Sequence, residues 1–577
     1  MPSCWYGWIA VNDRSDTAVN VTAPQRGPLS YEQEGLYALA RLAPHDAAYT
    51  VPLAVRLRGE LDTGALRRAL DALVERHASL RTRFVDDGGG PEQIVDPSAS
   101  LPLALVDLSA AGADLREQRL ADALALAVRT PFDLARGPLL RAVLYRLGER
   151  EHVLLVALHH IVTDGASNNT IVRDLSLRYN EYRAGAAAGP PPPGPTFIEH
   201  ALAQREALPG AALAPQVEYW RGRLVGASTL ALPTDHPRPT RPTHRGAHLD
   251  FAVPAEVAGA LRALAAREGS TLFTVLLSAY HVLLTRLSGQ ADTVVGVAVS
   301  GRSDPRTHGV IGFFVNTLPL RTDLTGNPRF AEVLRAVGAH AQEAYAHQDV
   351  PFSQLVEGVR PVREAGRHPL YQTVLNYRTF EFAGAGWDGL EALYHPRPWT
   401  GSTAVDLTLI VEKDGPALRV RAEYALDLFE PATVARWMDE LLALLAEIAR
   451  DPQRRVSHLT GGTAPSVRGE FVREPAAPAA RAAQLAAARA GEAEPELRSE
   501  TQARLCALWA TLLRTDQVGL DDDFYDLGGH SVLAIRLLNR VSEAFAVDVP
   551  VDALFDELTV RRLGEQIDAL RAAAGTA

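Results

Sequence analysis

The sequence predicts an α/β protein made of two successive lobes, followed by a small all-helical domain. Three observations predict it. β-prone apolar runs alternate with segments whose apolar residues recur at helical spacing. The strand, helix, strand order of the first lobe returns after about residue 245. From about Leu459 to Glu496 the composition shifts to Ala, Pro, Gly, Arg and Glu. Such a stretch cannot form a core, and beyond it only helical periodicity is found.

The 577 residues suggest about four domains on length alone. A net charge of -11, with no basic patch, argues against a nucleic-acid or anionic-membrane surface. Cys4 and Cys506 stand far apart and without metal-ligand spacing, so neither a disulfide framework nor a metal site is implied. The first 23 residues lack a basic region followed by an apolar core, and no later apolar run reaches the length of a membrane span. These features predict a cytoplasmic protein.

In chain order, residues 1 to about 25 show no periodicity and read as a mobile leader. Leu29 to Tyr37 opens an amphipathic helix with Ser30 as N-cap, and Leu53 to Leu57 is a short strand. Asp62 to Ala78 sets Leu66, Leu70, Leu73 and Val74 on one helical face, and the chain then turns into an edge strand. Leu139–Leu147 and His152–Leu158 form a hairpin around Gly148-Glu149-Arg150-Glu151. The Ala184–Pro195 segment, with prolines at 190 to 193, reads as a surface connection. In the second lobe Leu249–Val253 is a strand, Thr271–Leu287 an apolar helix and Thr293–Val299 a buried strand. Glu500–Leu513 and Val532–Phe545 are the helices of the terminal domain, in which acidic residues outnumber basic ones.

The candidate chemistry centres on His159-His160-Ile161-Val162-Thr163-Asp164-Gly165-Ala166-Ser167, a turn between the strand ending at Leu158 and a helix from Asn168 to Tyr182. The chance of an HHxxxDG pattern in a chain of this composition is on the order of a few in a thousand. Two histidines and a carboxylate at the end of a buried strand suit proton transfer.

This motif resembles the active-site motif of condensation domains of nonribosomal peptide synthetases, relatives of chloramphenicol acetyltransferase. Further stretches are similar to that family's motifs, in the same order. They are Leu29–Tyr37, Arg76–Phe84, Ile311-Gly312-Phe313-Phe314-Val315-Asn316-Thr317-Leu318-Pro319-Leu320-Arg321, His347–Phe352 and, less completely, Arg367–Tyr377. Asp521-Asp522-Asp523-Phe524-Tyr525-Asp526-Leu527-Gly528-Gly529-His530-Ser531 resembles the attachment site of a peptidyl carrier protein, with Ser531 the residue that takes 4′-phosphopantetheine. A helix N-terminus at Ser531 also suits a phosphodiester.

The resemblance implies two chloramphenicol-acetyltransferase-like lobes forming a V-shaped condensation domain, plus a small all-α four-helix carrier domain. On that reading residues 1–25 are the leader, 26–190 the N-terminal lobe and 191–458 the C-terminal lobe with the lobe connection. A flexible linker (459–497) and the carrier domain (498–570) follow. The implied reaction is attack of a carrier-bound amine on an upstream acyl or peptidyl thioester. Ester formation, or a catalytically inactive docking platform for tailoring enzymes, are the alternatives.

An amine of pKa near 8 must lose a proton during attack, whereas a thiol near 8.5 leaves without a strong acid, so one imidazole near 6.5 suffices. His160 is assigned that role, as base or as anchor for the amine, with His159 supporting the loop. Asp164 could serve as the histidine's partner, but the resemblance implies a structural salt bridge, for which Arg76 is the expected partner. Gly165 permits close backbone approach and offers its amide to an oxyanion. Ser167 is read as the N-cap of the following helix at the substrate tunnel, and Asn316 as a residue shaping that tunnel. Ala166 departs from the family, which commonly has a bulky residue there. No adenylation segment is found, so a separate adenylation enzyme is expected to load the carrier. A phosphopantetheinyl transferase and an upstream donor carrier or synthetase module complete the expected partners.

Overall fold

The computed structural model describes residues 24–461 and 499–575, apart from 44–45, 89, 187–195, 209, 362–363, 365, 379–385, 396–397, 514, 516–517, 525–526, 528–530, 548 and 551–557. The expected leader as far as residue 23, most of the proline-rich connection and all but the first residues of the expected linker lie outside the described residues.

The strands are β1 (Gln25–Pro28), β2 (Thr50–Gly59), β3 (Thr82–Asp86), β4 (Pro91–Val95), β5 (Leu103–Asp107), β6 (Leu140–Gly148), β7 (Glu151–His159), β8 (Gly246–Val253), β9 (Asp292–Val299), β10 (Asn316–Asp323), β11 (Thr373–Arg378), β12 (Leu390–Tyr394), β13 (Leu407–Asp414) and β14 (Ala417–Ala425). Around them lie helices α1 (Tyr31–Leu42), α2 (Thr63–Arg76), α3 (Ala113–Arg129), α4 (Gly165–Arg183), α5 (Phe197–Ala207), α6 (Gly210–Leu224), α7 (Ala255–Arg267), α8 (Leu272–Ser288), α9 (Phe330–Ala346), α10 (Phe352–Val359) and α11 (Pro431–Arg450). The C-terminal helices are α12 (Glu500–Leu513), α13 (Ser531–Phe545) and α14 (Val560–Gly575).

One sheet has the order β12-β2-β7-β6-β5. Its β7 is buried on both faces, which follows from its unbroken apolar run. Leu154, Val156 and Leu158 point into a core shared with Leu66, Leu70 and Leu73 of α2 and Ile171 and Leu175 of α4. The alternate residues Val153, Leu155 and Ala157 meet Leu120, Leu124 and Val128 of α3 on the opposite face. The hairpin partner β6 pairs antiparallel with β7, as the sequence predicts. With both faces covered, the end of β7 is a fixed platform for the histidines that follow it.

The second large sheet has the order β10-β9-β11-β13-β14-β8, and β11 runs parallel to both of its neighbours. Its central helix α8 is capped by Thr271, whose hydroxyl accepts from the Thr274 N–H, and it ends at Gly289 with φ 74°. Only glycine adopts that left-handed cap without strain. A smaller sheet, β1-β4-β3, carries β3 at its edge.

Two expected boundaries are corrected. β12 lies deep inside the span assigned to the second lobe, yet it pairs antiparallel with β2 of the first sheet. Periodicity reports that a strand exists and not which sheet receives it. The linker does not begin at 459: Leu459 is fully buried, and the Arg286 guanidinium donates to the carbonyls of Leu459 and Thr460. In the terminal domain three helices are described, with Leu505, Trp509, Phe524, Leu537 and Val541 in its core. No single helix among the described residues is long and apolar enough to cross a membrane.

His281 on α8 is fully buried, with Nδ1 2.8 Å from the Thr293 hydroxyl, and burial lowers its pKa to about 3. Its contribution to stability is complete above the unfolded value of about 6.5 and is lost as pH falls toward the folded one. Between pH 7 and pH 5 the fold therefore loses about 2 kcal/mol through this group. Denaturant unfolding of wild type and His281→Gln at both pH values checks this, with a smaller pH dependence expected in the variant.

Candidate active site

β7 delivers His159 and His160 to a short 3₁₀ turn, His160–Val162, before α4 begins at Gly165. The two imidazoles take opposite tautomers. The Ile161 N–H donates to His159 Nδ1 at 3.2 Å, so that nitrogen is unprotonated. His159 is buried beside Tyr49 and Phe132, and burial lowers its pKa to about 3. It stays neutral and supports the loop.

His160 Nδ1 lies 2.7 Å from the Thr163 carbonyl oxygen. A carbonyl only accepts, so Nδ1 carries the proton and the Nε2 lone pair remains for another partner. Burial pushes the His160 pKa below its usual value, against the raising effects of the Thr163 carbonyl and Asp164, while the Arg378 charge lowers it further. At neutral pH the ring is a neutral base with a fixed tautomer. Its ring meets that of Phe313 edge-on, with centroids 4.9 Å apart at 73°.

Asp164 does not pair with Arg76. Arg302 Nη2 lies 3.0 Å from both Asp164 oxygens, with the two side chains 7% and 1% exposed. The carboxylate also accepts from the N–H groups of Ser167, at 2.7 Å, and Phe314, at 3.2 Å. Arg76 instead reaches Asp174 on α4 at 3.2 Å, and His77 Nε2 lies 2.9 Å from the same carboxylate. The C-terminal end of α2 faces the middle of α4, well beyond Asp164, and this sets the choice.

Ser167 is corrected as well. The N-cap of α4 is Asp164, and Ser167 is fully buried and lines no open space. Its hydroxyl lies 2.8 Å from Asp164, 2.9 Å from Arg302 Nη2 and 3.1 Å from the Gly312 N–H. It gives its one proton to the carboxylate, the nearer acceptor, with the Gly312 carbonyl oxygen also at 3.1 Å, and accepts from the other two. Asn316 is nearly buried, and its amide donates to the carbonyls of Gln348 and Val350 at 3.0 and 2.7 Å. It braces the loop at Gln348 and Val350.

Gly165 and Ala166 are exposed, and a Cβ built on Gly165 would meet nothing within 4 Å. As the first residue of α4, Gly165 has an N–H without an intrahelical acceptor. The loop thus carries an unprotonated ring nitrogen at His160 and, at the exposed Gly165, an amide outside the intrahelical ladder. Sequence reasoning missed Arg302 and Phe313. The only local signal for Arg302 was its place just beyond the buried strand β9, and the chain has many arginines.

Residues 24–463 match the condensation domain model, and residues 503–567 match the phosphopantetheine attachment site model. The chain belongs to the condensation-domain family. It is a condensation–carrier didomain of the nonribosomal peptide synthetase type, and its second domain holds 4′-phosphopantetheine on a serine. Among relatives, a linear gramicidin synthase of Brevibacillus parabrevis is 41% identical over 450 residues, 77% of this chain and 6% of that protein. The chain spans about a tenth or less of the length of the first curated relatives it matches. The X-domain solved in complex with OxyB from teicoplanin biosynthesis is 30% identical, with a TM-score of 0.66 over 78% of this chain and 99% of that one. The SgcC5 protein from Streptomyces globisporus is 29% identical, with a TM-score of 0.65 over 74% of this chain and 100% of that one.

Removing the Asp164 carboxylate strands the Arg302 charge in a buried site, which costs about 3 to 5 kcal/mol, whereas the partly exposed Arg76 contributes about 0 to 1 kcal/mol. Urea denaturation of the condensation–carrier didomain is therefore expected to show a far larger loss for Asp164→Ala than for Arg76→Ala. Equal losses would restore Arg76 as the partner.

Proposed function

We propose that this didomain joins two carrier-bound substrates by attack of an amine on a thioester, giving an amide and a free thiol, with His160 as the base. The observation that carries the reading is the His160 Nδ1 to Thr163 carbonyl bond, which leaves Nε2 unprotonated on a half-buried ring. As the amine nitrogen bonds to the carbonyl carbon, Nε2 takes its proton, the carbon–sulfur bond breaks, and the proton passes to the departing sulfur. The Gly165 N–H, outside the intrahelical ladder, is the donor assigned to the carbonyl oxygen as it gains charge.

Ser531 is the attachment residue in this reading. The matched span holds two serines, Ser531 and Ser542. Ser542 lies within α13, whereas Ser531 is its first residue, where unpaired amides and the helix dipole suit a phosphodiester. When bound, the arm supplies the thiol that carries the substrate as a thioester. The tethered carrier supplies the acceptor: Ala38 of α1 is buried in the same cluster as the carrier's Leu505, Leu537 and Val541, and Leu42 packs against it. The same helix reaches the histidine loop, where Gln33 donates to the Ile161 carbonyl at 3.1 Å. The donor comes from an upstream carrier or synthetase module. A separate adenylation enzyme loads the acceptor and a phosphopantetheinyl transferase installs the arm, in the cytoplasm where ATP and coenzyme A are supplied.

Two other readings have specific support. The teicoplanin X-domain is seen with OxyB, which favours a recruiting platform, and SgcC5 is seen with a naphthyl ethanediol, which favours an alcohol acceptor. One assay separates all three, using an acyl-thioester carrier as donor and either an aminoacyl carrier or an alcohol as acceptor. Amide formation that falls roughly 10²- to 10⁴-fold in His160→Ala supports the base assignment. Ester product alone points to the alcohol reading, and product formation unaffected by His160→Ala removes the base. Intact-mass measurement after treatment with coenzyme A and a pantetheinyl transferase is expected to show the arm on wild type and Ser542→Ala but not on Ser531→Ala.

A further inference from the structure

His160 is held at one ring nitrogen, and a single hydrogen bond at Nδ1 leaves the imidazole free to rock about that contact. The second restraint on the ring comes from the other half of the chain. Phe313 meets it edge-on, with centroids 4.9 Å apart. This aromatic side chain is itself seated by the loop it serves. On one side of it the Gly312 N–H donates to the Ser167 hydroxyl at 3.1 Å, and on the other the Phe314 N–H donates to Asp164 at 3.2 Å. Gly312 cannot be enlarged, because a Cβ there would overlap the Phe197 ring. The Phe314 ring packs at 4.8 Å from Phe197 and under the Arg302 guanidinium, whose central carbon lies 4.0 Å from the ring centroid. Asp164 and Ser167 thus hold the residues flanking Phe313, and Asp164 also caps the helix that follows the histidines.

We propose that Phe313 is a positioning residue for the condensation reaction: its ring, clamped at Gly312 and Phe314 by Ser167 and Asp164, fixes the orientation of the His160 imidazole and keeps water from it. The inference rests on His160 being the base. Edge-to-face aromatic contact with a neutral imidazole is favourable, and a ring held dry resists protonation. The groups whose charges bear on His160 are Asp164, which favours its protonation, and Arg378, which opposes it; the neighbouring ring of His159 stays neutral. None of these is altered by replacing Phe313, so a change in titration reports the lost cover.

The test is the pH dependence of amide formation by the full didomain, with a thioester donor carrier and an aminoacyl acceptor, for wild type, Phe313→Ala, Phe313→Leu and His160→Ala. Phe313→Ala is expected to lower kcat about tenfold or more with KM for the donor carrier little changed. Its acid limb is expected to move up toward pH 6.5, and Phe313→Leu, which restores bulk without the ring, to recover part of both. Pantetheinylation of the carrier and the melting temperature report that each variant is folded. If Phe313→Ala lowers the melting temperature too far to assay, Phe313→Leu carries the same comparison alone. An unshifted acid limb with unchanged kcat in folded Phe313 variants, while His160→Ala is inactive, overturns this inference alone. Full activity of His160→Ala overturns the base assignment on which it stands.

Discussion

The site depends on one buried charge pair, Asp164 with Arg302. The carboxylate receives the guanidinium, two backbone N–H groups and a hydroxyl, so its lone pairs are fully engaged. Arg302 directs its other terminal nitrogen to the carbonyls of Thr307 and Val310. Taking both charges out of water is costly, and a buried pair of this kind adds little net stability over an apolar packing of the same volume. What it adds is direction. An apolar contact would let the segment from Arg302 to Phe314 slide over the histidine loop, whereas five directed hydrogen bonds from that segment to Asp164 and Ser167 admit one register. The pair therefore fixes the loop and the segment above it as a unit.

Within that unit the adjacent histidines do different work, because His159 ends the strand and His160 opens the 3₁₀ turn, which sends them to different surroundings. His159 turns into the packing of Tyr49 and Phe132, where its Nδ1 serves a backbone amide. His160 turns toward Phe313, and its Nδ1 is tied to a carbonyl. Had both rings kept the same tautomer, one of these two backbone groups would face a like partner in a buried place, a loss of about 1 to 3 kcal/mol. The backbone of residues 161 to 163 thus sets both proton positions before any substrate arrives, and charging of either ring is opposed by burial.

Much of this was legible in the sequence, and what was not has a common physical reason. The hairpin, the turn carrying the histidines, the helices at Asp62 and Thr271 and the terminal helices all come from local periodicity and turn chemistry, which the chain writes within about a dozen residues. Arg302 acts across 138 positions from Asp164. Arg76 looked the better partner because it stands in a recognisable motif, but helix geometry turns it to Asp174, about three turns along α4 from the loop. Ser167 has the composition of a cap and yet is buried by a segment that arrives from the second half of the chain. β12 is similar: its sequence marks a strand, and only the assembled sheet shows it beside β2. Local grammar finds elements and candidate groups, while pairings made by long loop closure stay hidden.

The carrier adds the last constraint. Helix α1 is anchored by a capping box, with Ser30 and Gln33 exchanging hydrogen bonds, and the Gln33 amide donates to the Ile161 carbonyl. Further along, the same helix buries Ala38 among the carrier's apolar side chains. A small residue is needed there for the helices to approach, and a rigid helix between two contacts transmits distance rather than motion. The proposed chemistry, two tethered partners meeting at one imidazole, fits that combination: a ring whose tautomer is set by the Thr163 carbonyl, and a carrier packed on the helix that also holds the histidine loop.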